Sequence, residues 1–86
     1  MAHEPTERST TADRVRALAV RTGAIENQMR GVGLDGVAEI ARASRVSLDE
    51  AAEVADMGHE DQASRAACTA VKRLNVALRV AQGAGR

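Results

Sequence analysis

Apolar positions recur at alternating steps of three and four residues along two stretches, one toward each end of the chain. The first runs Val15, Leu18, Thr22, Ile25, Met29, Val32, and the second Ser64, Ala67, Val71, Leu74, Leu78, Ala81. Residues three and four apart stack on one face of an α-helix, so the spacing predicts two long helices, each packed along a neighbour. The first is expected from Thr10 to about Arg30, because Thr10 and Asp13 form the Ser/Thr-x-x-acid pair that satisfies free N–H groups at a helix start. Gly23 interrupts it at a cost of about 1 kcal/mol relative to Ala. The stripe keeps its register across that glycine, which favours one helix over two. The second long helix is expected from Glu60 or Asp61 to Gln82, ahead of Gly83. Acidic residues at its start and Lys72, Arg73 and Arg79 further on suit the helix dipole.

The middle of the chain reads as two shorter pieces. Gly31 to Gly36 ends the first helix, and Val37, Ile40, Ala41 and Ser44 then mark one side of a short amphipathic segment. Ser47-Leu48-Asp49-Glu50 matches a capping box, with Val46 placed to staple against Ala51, so a new helix is expected from there to Met57. Gly58 supplies a left-handed stop. The expected architecture is an all-α bundle of four helices, the long first and last antiparallel and flanking the two short ones. Val15, Leu18, Ile25, Met29, Val71 and Leu74 are its seam. Val76 and Val80 fall well off the Val71/Leu74/Leu78 line, with Arg73 between. The last helix is therefore expected either to sit centrally or to carry a second contact face, and Val76, Val80 and Leu78 are the candidate interface. Residues 1–9, polar and holding the only proline, read as a mobile tail; 10–83 form one domain, and 84–86 a second short tail.

Composition sharpens this picture. Eighty-six residues allow one small domain. There is no Phe, Tyr or Trp; Val, Leu and Ile number 16 against 18 Ala. A core made of these is thin, and domains short of core gain stability by self-association or by binding a partner. Twelve basic residues balance twelve acidic ones, which argues against a disordered chain. The same balance gives no general pull toward nucleic acid or an anionic membrane. No stretch approaches the ~20 apolar residues of a membrane span, and no apolar signal-peptide core stands at the N-terminus. Cys68 is the only cysteine, so no internal disulfide forms and the cytoplasm is the expected compartment.

The short motifs carry little chemistry. Gly31 to Gly36 spells G-x-G-x-x-G, but a dinucleotide loop follows a strand, and here a helical stripe precedes it. Val37-Ala38-Glu39-Ile40-Ala41-Arg42-Ala43-Ser44-Arg45-Val46-Ser47 resembles the first helix and turn of bacterial repressors that use a helix-turn-helix. The resemblance implies that the following helix would enter the major groove. That helix offers Asp49, Glu50, Glu53 and Asp56, the wrong sign for a phosphate lattice, and Ser44 and Arg45 replace the small residue and glycine usual at the turn. Arg8, Arg14, Arg16, Arg21 and Arg30 around the first helix are the remaining cations for DNA. Ala24-Ile25-Glu26-Asn27-Gln28-Met29-Arg30-Gly31-Val32 is similar to a short signature of the copper-sensing repressor family, whose members bind metal through downstream Cys and His. Only His59 and Cys68 follow here, nine residues apart and on different helical faces.

His59, Glu60 and Asp61 are consecutive and diverge, whereas zinc needs converging ligands. Met1-Ala2-His3 has the form of a square-planar Cu(II) or Ni(II) chelate that depends on a retained Met1. Cys68 shares a side with Lys72, Asn75 and Arg79 and lacks a spacing-matched base. No cofactor, metal or small-molecule ligand is indicated, and no catalytic set. The expectation is a non-catalytic interaction or assembly module that recognises a protein partner or its own copy, as a homodimer, through a helix face. The alternative is a small DNA-binding regulator with a degenerate helix-turn-helix.

Overall fold

A computed structural model describes residues 10–84. Within them the chain forms three helices, α1 (Thr11–Gly31), α2 (Asp35–Asp56) and α3 (Glu60–Ala84), and no strand. The tail expected at 1–9 lies outside the described residues, as do the last two residues of the tail expected at 84–86; Ala84 closes α3.

Local chemistry sets the ends. At α1, the Thr10 hydroxyl accepts from the Asp13 N–H at 3.1 Å while the Asp13 carboxylate accepts from the Thr10 N–H at 3.3 Å, a complete capping box. Both interhelical turns are Schellman closures. Gly33 (φ +84°) lets the Leu34 N–H reach the Met29 carbonyl at 2.8 Å and the Gly33 N–H reach that of Arg30 at 3.2 Å. Gly58 (φ +96°) repeats the geometry, with His59 donating to Val54 at 3.2 Å and Gly58 to Ala55 at 3.0 Å. The G-x-G-x-x-G segment is thus the end of one helix, a turn and the start of the next.

Helix α1 is continuous through Gly23, and the glycine has a packing role. A Cβ there would stand 3.3 Å from the Arg45 Cδ, so the missing side chain lets Arg45 lie across α1 and reach Glu26 at 3.4 Å.

The expected pair of short central helices is one helix. Ser44 to Ser47, read as a turn, are helical, and the Ser47 capping box does not form. Val37, Ala41, Ser44, Leu48, Ala51 and Ala55 follow one unbroken three-and-four spacing, and a turn at Ser44–Ser47 would rotate its halves apart. Serine inside a helix costs only a few tenths of a kcal/mol more than the better formers, which burial of this line outweighs. No helix-turn-helix exists in 37–54 as a consequence.

Merging these segments also changes the topology. Ion pairs Arg16–Asp56 and Arg30–Glu39 join opposite ends of α1 and α2, so these run antiparallel. α3 turns back along α2, with Ala63 and Ala66 beside Val54 and Ala51. The first and last helices are therefore parallel, not antiparallel. The central position belongs to α2, which packs extensively on both neighbours, while α1 and α3 meet only sparingly. They touch where Thr11 to Leu18 passes Ser64 to Val71.

Among the described residues thirteen apolar ones are buried, and ten of them are alanine; the others are Val15, Leu48 and Leu74. Small side chains on the contact lines let helix axes approach toward the short end of the usual 8–10 Å. Of the expected seam, Val15 and Leu74 are buried, whereas Leu18, Ile25, Met29 and Val71 are half-buried along the edges. The radius of gyration, 14.7 Å, exceeds the ~11–12 Å of a compact domain of this length. This is an elongated three-helix layer with an alanine interior.

Candidate functional site

Because alanine occupies the helix contacts, the larger aliphatic side chains are pushed outward. Leu34, Val76 and Val80 are exposed, the two valines at 60% and 65%. They stand together with the half-buried Val37 and Ile40 around an open groove between the start of α2 and the last third of α3. Its volume, about 790 Å³, is twice that of a second hollow, about 390 Å³, between the other ends of the same helices.

Two charged side chains line the groove, Asp35 and Arg73. Helices α2 and α3 are antiparallel, so Asp35 lies at the end that holds Val80 and Ala81, and Arg73 at the opposite end. Seven residues separate Arg73 from Val80, about 10 Å of helix. Neither Asp35 nor Arg73 belongs to an ion pair among the described residues.

The structure brings Val76 and Val80 together with α2 but leaves Leu78 out. Leu78 is 200° around the helix from each valine and does not line the groove. Leu34 belongs to no helical stripe in the sequence, and Val37 and Ile40 share one side of the expected short helix with Ala41 and Ser44. Their contribution depends on the antiparallel α2–α3 pairing, which joins positions some forty residues apart.

Net neutrality conceals a segregation of charge. Helix α2 carries six carboxylates and two arginines, a net charge of −4, while α1 and α3 each carry four cations and two carboxylates, +2 apiece. The α1–α2 seam uses part of this difference. Arg16 pairs with Asp56 and Arg30 with Glu39 at 3.3 Å across the seam; Arg30 also pairs within α1 with Glu26 at 3.2 Å, and Arg45 of α2 crosses in the opposite sense to Glu26 at 3.4 Å. The Asp56 hydrogen bond and charge hold the Arg16 guanidinium above its ordinary pKa, and hydrogen bonds to Glu26 and Glu39 do the same for Arg30.

Among the described residues Arg14, Arg21, Arg65, Lys72 and Arg79 make no ion pair. Arg14 and Arg21 are seven apart on α1, and Arg65, Lys72 and Arg79 are seven apart on α3, so each set forms one row. Arg16 and Arg30, counted earlier as DNA-binding cations, are engaged with carboxylates, and Arg8 lies outside the described residues.

Cys68 is exposed, in a hollow with Arg14, Thr11, Ser64 and Val71, and no histidine among the described residues lines it. No group of three potential metal ligands converges among the described residues. The Met1-Ala2-His3 segment lies outside them. No described helix is long and apolar enough to cross a membrane.

Compared with known proteins, the chain matches no protein family, no curated protein and no solved structure. Its function has to be argued from the groove and the charge pattern.

Proposed function

We propose that this chain is a non-catalytic association module that binds an apolar protein surface through the α2–α3 groove. The observation that carries this reading is the placement of Leu34, Val37, Ile40, Val76 and Val80 around one open groove in a protein whose own contacts are made mostly by alanine. The largest apolar patch on a protein's surface is often a functional one. A thin interior gives a second reason, since covering the groove would add apolar burial that the fold lacks. The module is expected to associate with its own copy.

Sedimentation equilibrium over a wide concentration range tests this, with interference optics because no Trp or Tyr absorbs. Val80→Asp is expected to keep its helical circular dichroism, the side chain being largely exposed, and to lose association. Association unchanged in Val80→Asp would overturn the assignment of the groove.

A second reading is favoured by the unpaired cation rows on α1 and α3. They suit the sugar-phosphate backbone of a nucleic acid rather than the edges of bases, since no turn presents a recognition helix. This reading predicts binding to duplex DNA that weakens steeply as salt rises, and that weakens again in a Lys72→Glu, Arg79→Glu variant. Absence of binding at low ionic strength would eliminate it.

A further inference from the structure

We infer that the groove is occupied by a second copy of this chain in a closed two-fold arrangement, held in register by Asp35 of each copy against Arg73 of the other. The inference rests on the association reading above and goes beyond it by specifying partner, symmetry and the residues that set the register. The groove has an acidic end and a basic end, with its apolar side chains between them. A two-fold axis perpendicular to the groove, passing beside Val76 and Val80, superimposes the apolar stretch of one copy on that of the other. The same rotation places each copy's basic end on the other's acidic end. Both contacts are then attractive, and the surface is complementary to itself, as a two-fold interface requires.

A parallel arrangement would set Arg73 against Arg73 and Asp35 against Asp35. Such like-charge contacts disfavour that register. Asp35 and Arg73 have no ion-pair partner among the described residues, so neither has to leave one to dock. The interface is also closed. Each copy uses its groove once, so assembly stops at a dimer of about 18 kDa, twice the 9.0 kDa chain.

A charge-swap cycle on the full chain tests the pairing, read by sedimentation equilibrium with helix content followed by circular dichroism. Asp35→Arg and Arg73→Asp are each expected to weaken dimerisation about tenfold, from two exposed pairs turned repulsive. The double variant carrying both substitutions is expected to recover to within about threefold of the original chain. An equimolar mixture of the two single variants is expected to recover association as a mixed dimer, because each contact then sets a basic side chain against an acidic one. Recovery by the double variant also excludes loss of the α2 start as the cause of the single-variant defect.

Failure of the double variant to recover, while Val80→Asp still dissociates the protein, overturns the two-fold pairing and leaves the groove reading standing. So does assembly beyond a dimer. A chain that is monomeric at every concentration, or one whose association ignores Val80→Asp, overturns the groove reading and this inference with it.

Discussion

Ser44 sits near the middle of α2 at 1% exposure, and its hydroxyl has no hydrogen-bond partner. Replacing it with alanine is expected to stabilise the protein. A buried hydroxyl without a partner has given up its bonds to water at a cost of roughly 1–3 kcal/mol. Alanine removes that cost and adds a few tenths of a kcal/mol of helix propensity in mid-helix. Against this stands the vacated volume of one oxygen, ~10–15 Å³, which costs about 0.3 kcal/mol at 24 cal/mol per Å³. The net expectation is a gain of about 1–2 kcal/mol. For a domain of this size each kcal/mol raises Tm by roughly 4–8 °C. Urea and thermal unfolding followed at 222 nm would measure it, at several protein concentrations so that any linked association is separated from the change. Thr22 is the internal control. It too is buried, at 4%, but its hydroxyl donates to the Leu18 carbonyl at 2.8 Å. Thr22→Val should therefore cost about 0.5–1.5 kcal/mol, the net worth of an ordinary hydrogen bond. A loss of stability in Ser44→Ala would refute the reasoning, since it would mean that the hydroxyl is satisfied in solution.

Other outcomes follow from the same packing. Leu48→Ala is expected to cost about 2–5 kcal/mol, because Leu48 is the largest fully buried side chain among alanines that cannot fill its space. Chemical denaturation would read it as a lower midpoint, and a midpoint within error of the original would show that the helices close over the site. Gly58→Ala is expected to destabilise by about 1 kcal/mol, since the residue holds φ +96° and an L side chain there is strained. Gly36→Ala should do the reverse and stabilise by about 0.4–1 kcal/mol. Gly36 is helical with ordinary φ, and a Cβ there meets nothing within 4 Å. Equal and opposite Tm shifts in this glycine pair would support the assigned turn, whereas a neutral Gly58→Ala would contradict it.

The alanine interior links stability to the exposed apolar surface. Helices that meet through small side chains bury little apolar area per residue, so Leu34, Val76 and Val80 stay outside and available. The features that thin the core therefore also create the groove. A chain of this composition with larger residues on the contact lines would bury more of its own surface and present less to a partner.

Helix type, the ends of α1 and the start of α3 are legible in the sequence, whereas α3 runs past the expected stop at Gly83 to Ala84. Thr10 with Asp13, the acidic start at Glu60 and the glycine at 58 act through backbone groups a few residues away, and local chemistry settles such features. The uncovered valines at 76 and 80 were also legible, as positions off the main stripe. Three things were decided only by tertiary packing. The capping signature at Ser47 competes with continuation of the helix, and it loses because the line through Ser44, Leu48 and Ala51 finds α1 on one side and α3 on the other. Alanine reads the same way on a surface as in an interior, so the larger Leu18, Ile25, Met29 and Val71 mark the expected seam although close contacts run through Ala12, Ala19, Ala63 and Ala70. The groove needs Val37 beside Val80, and no pattern within either helix encodes that meeting. A helix's periodicity states which face seeks a partner, while which partner covers it, and what is left over, depends on how the three helices lie together.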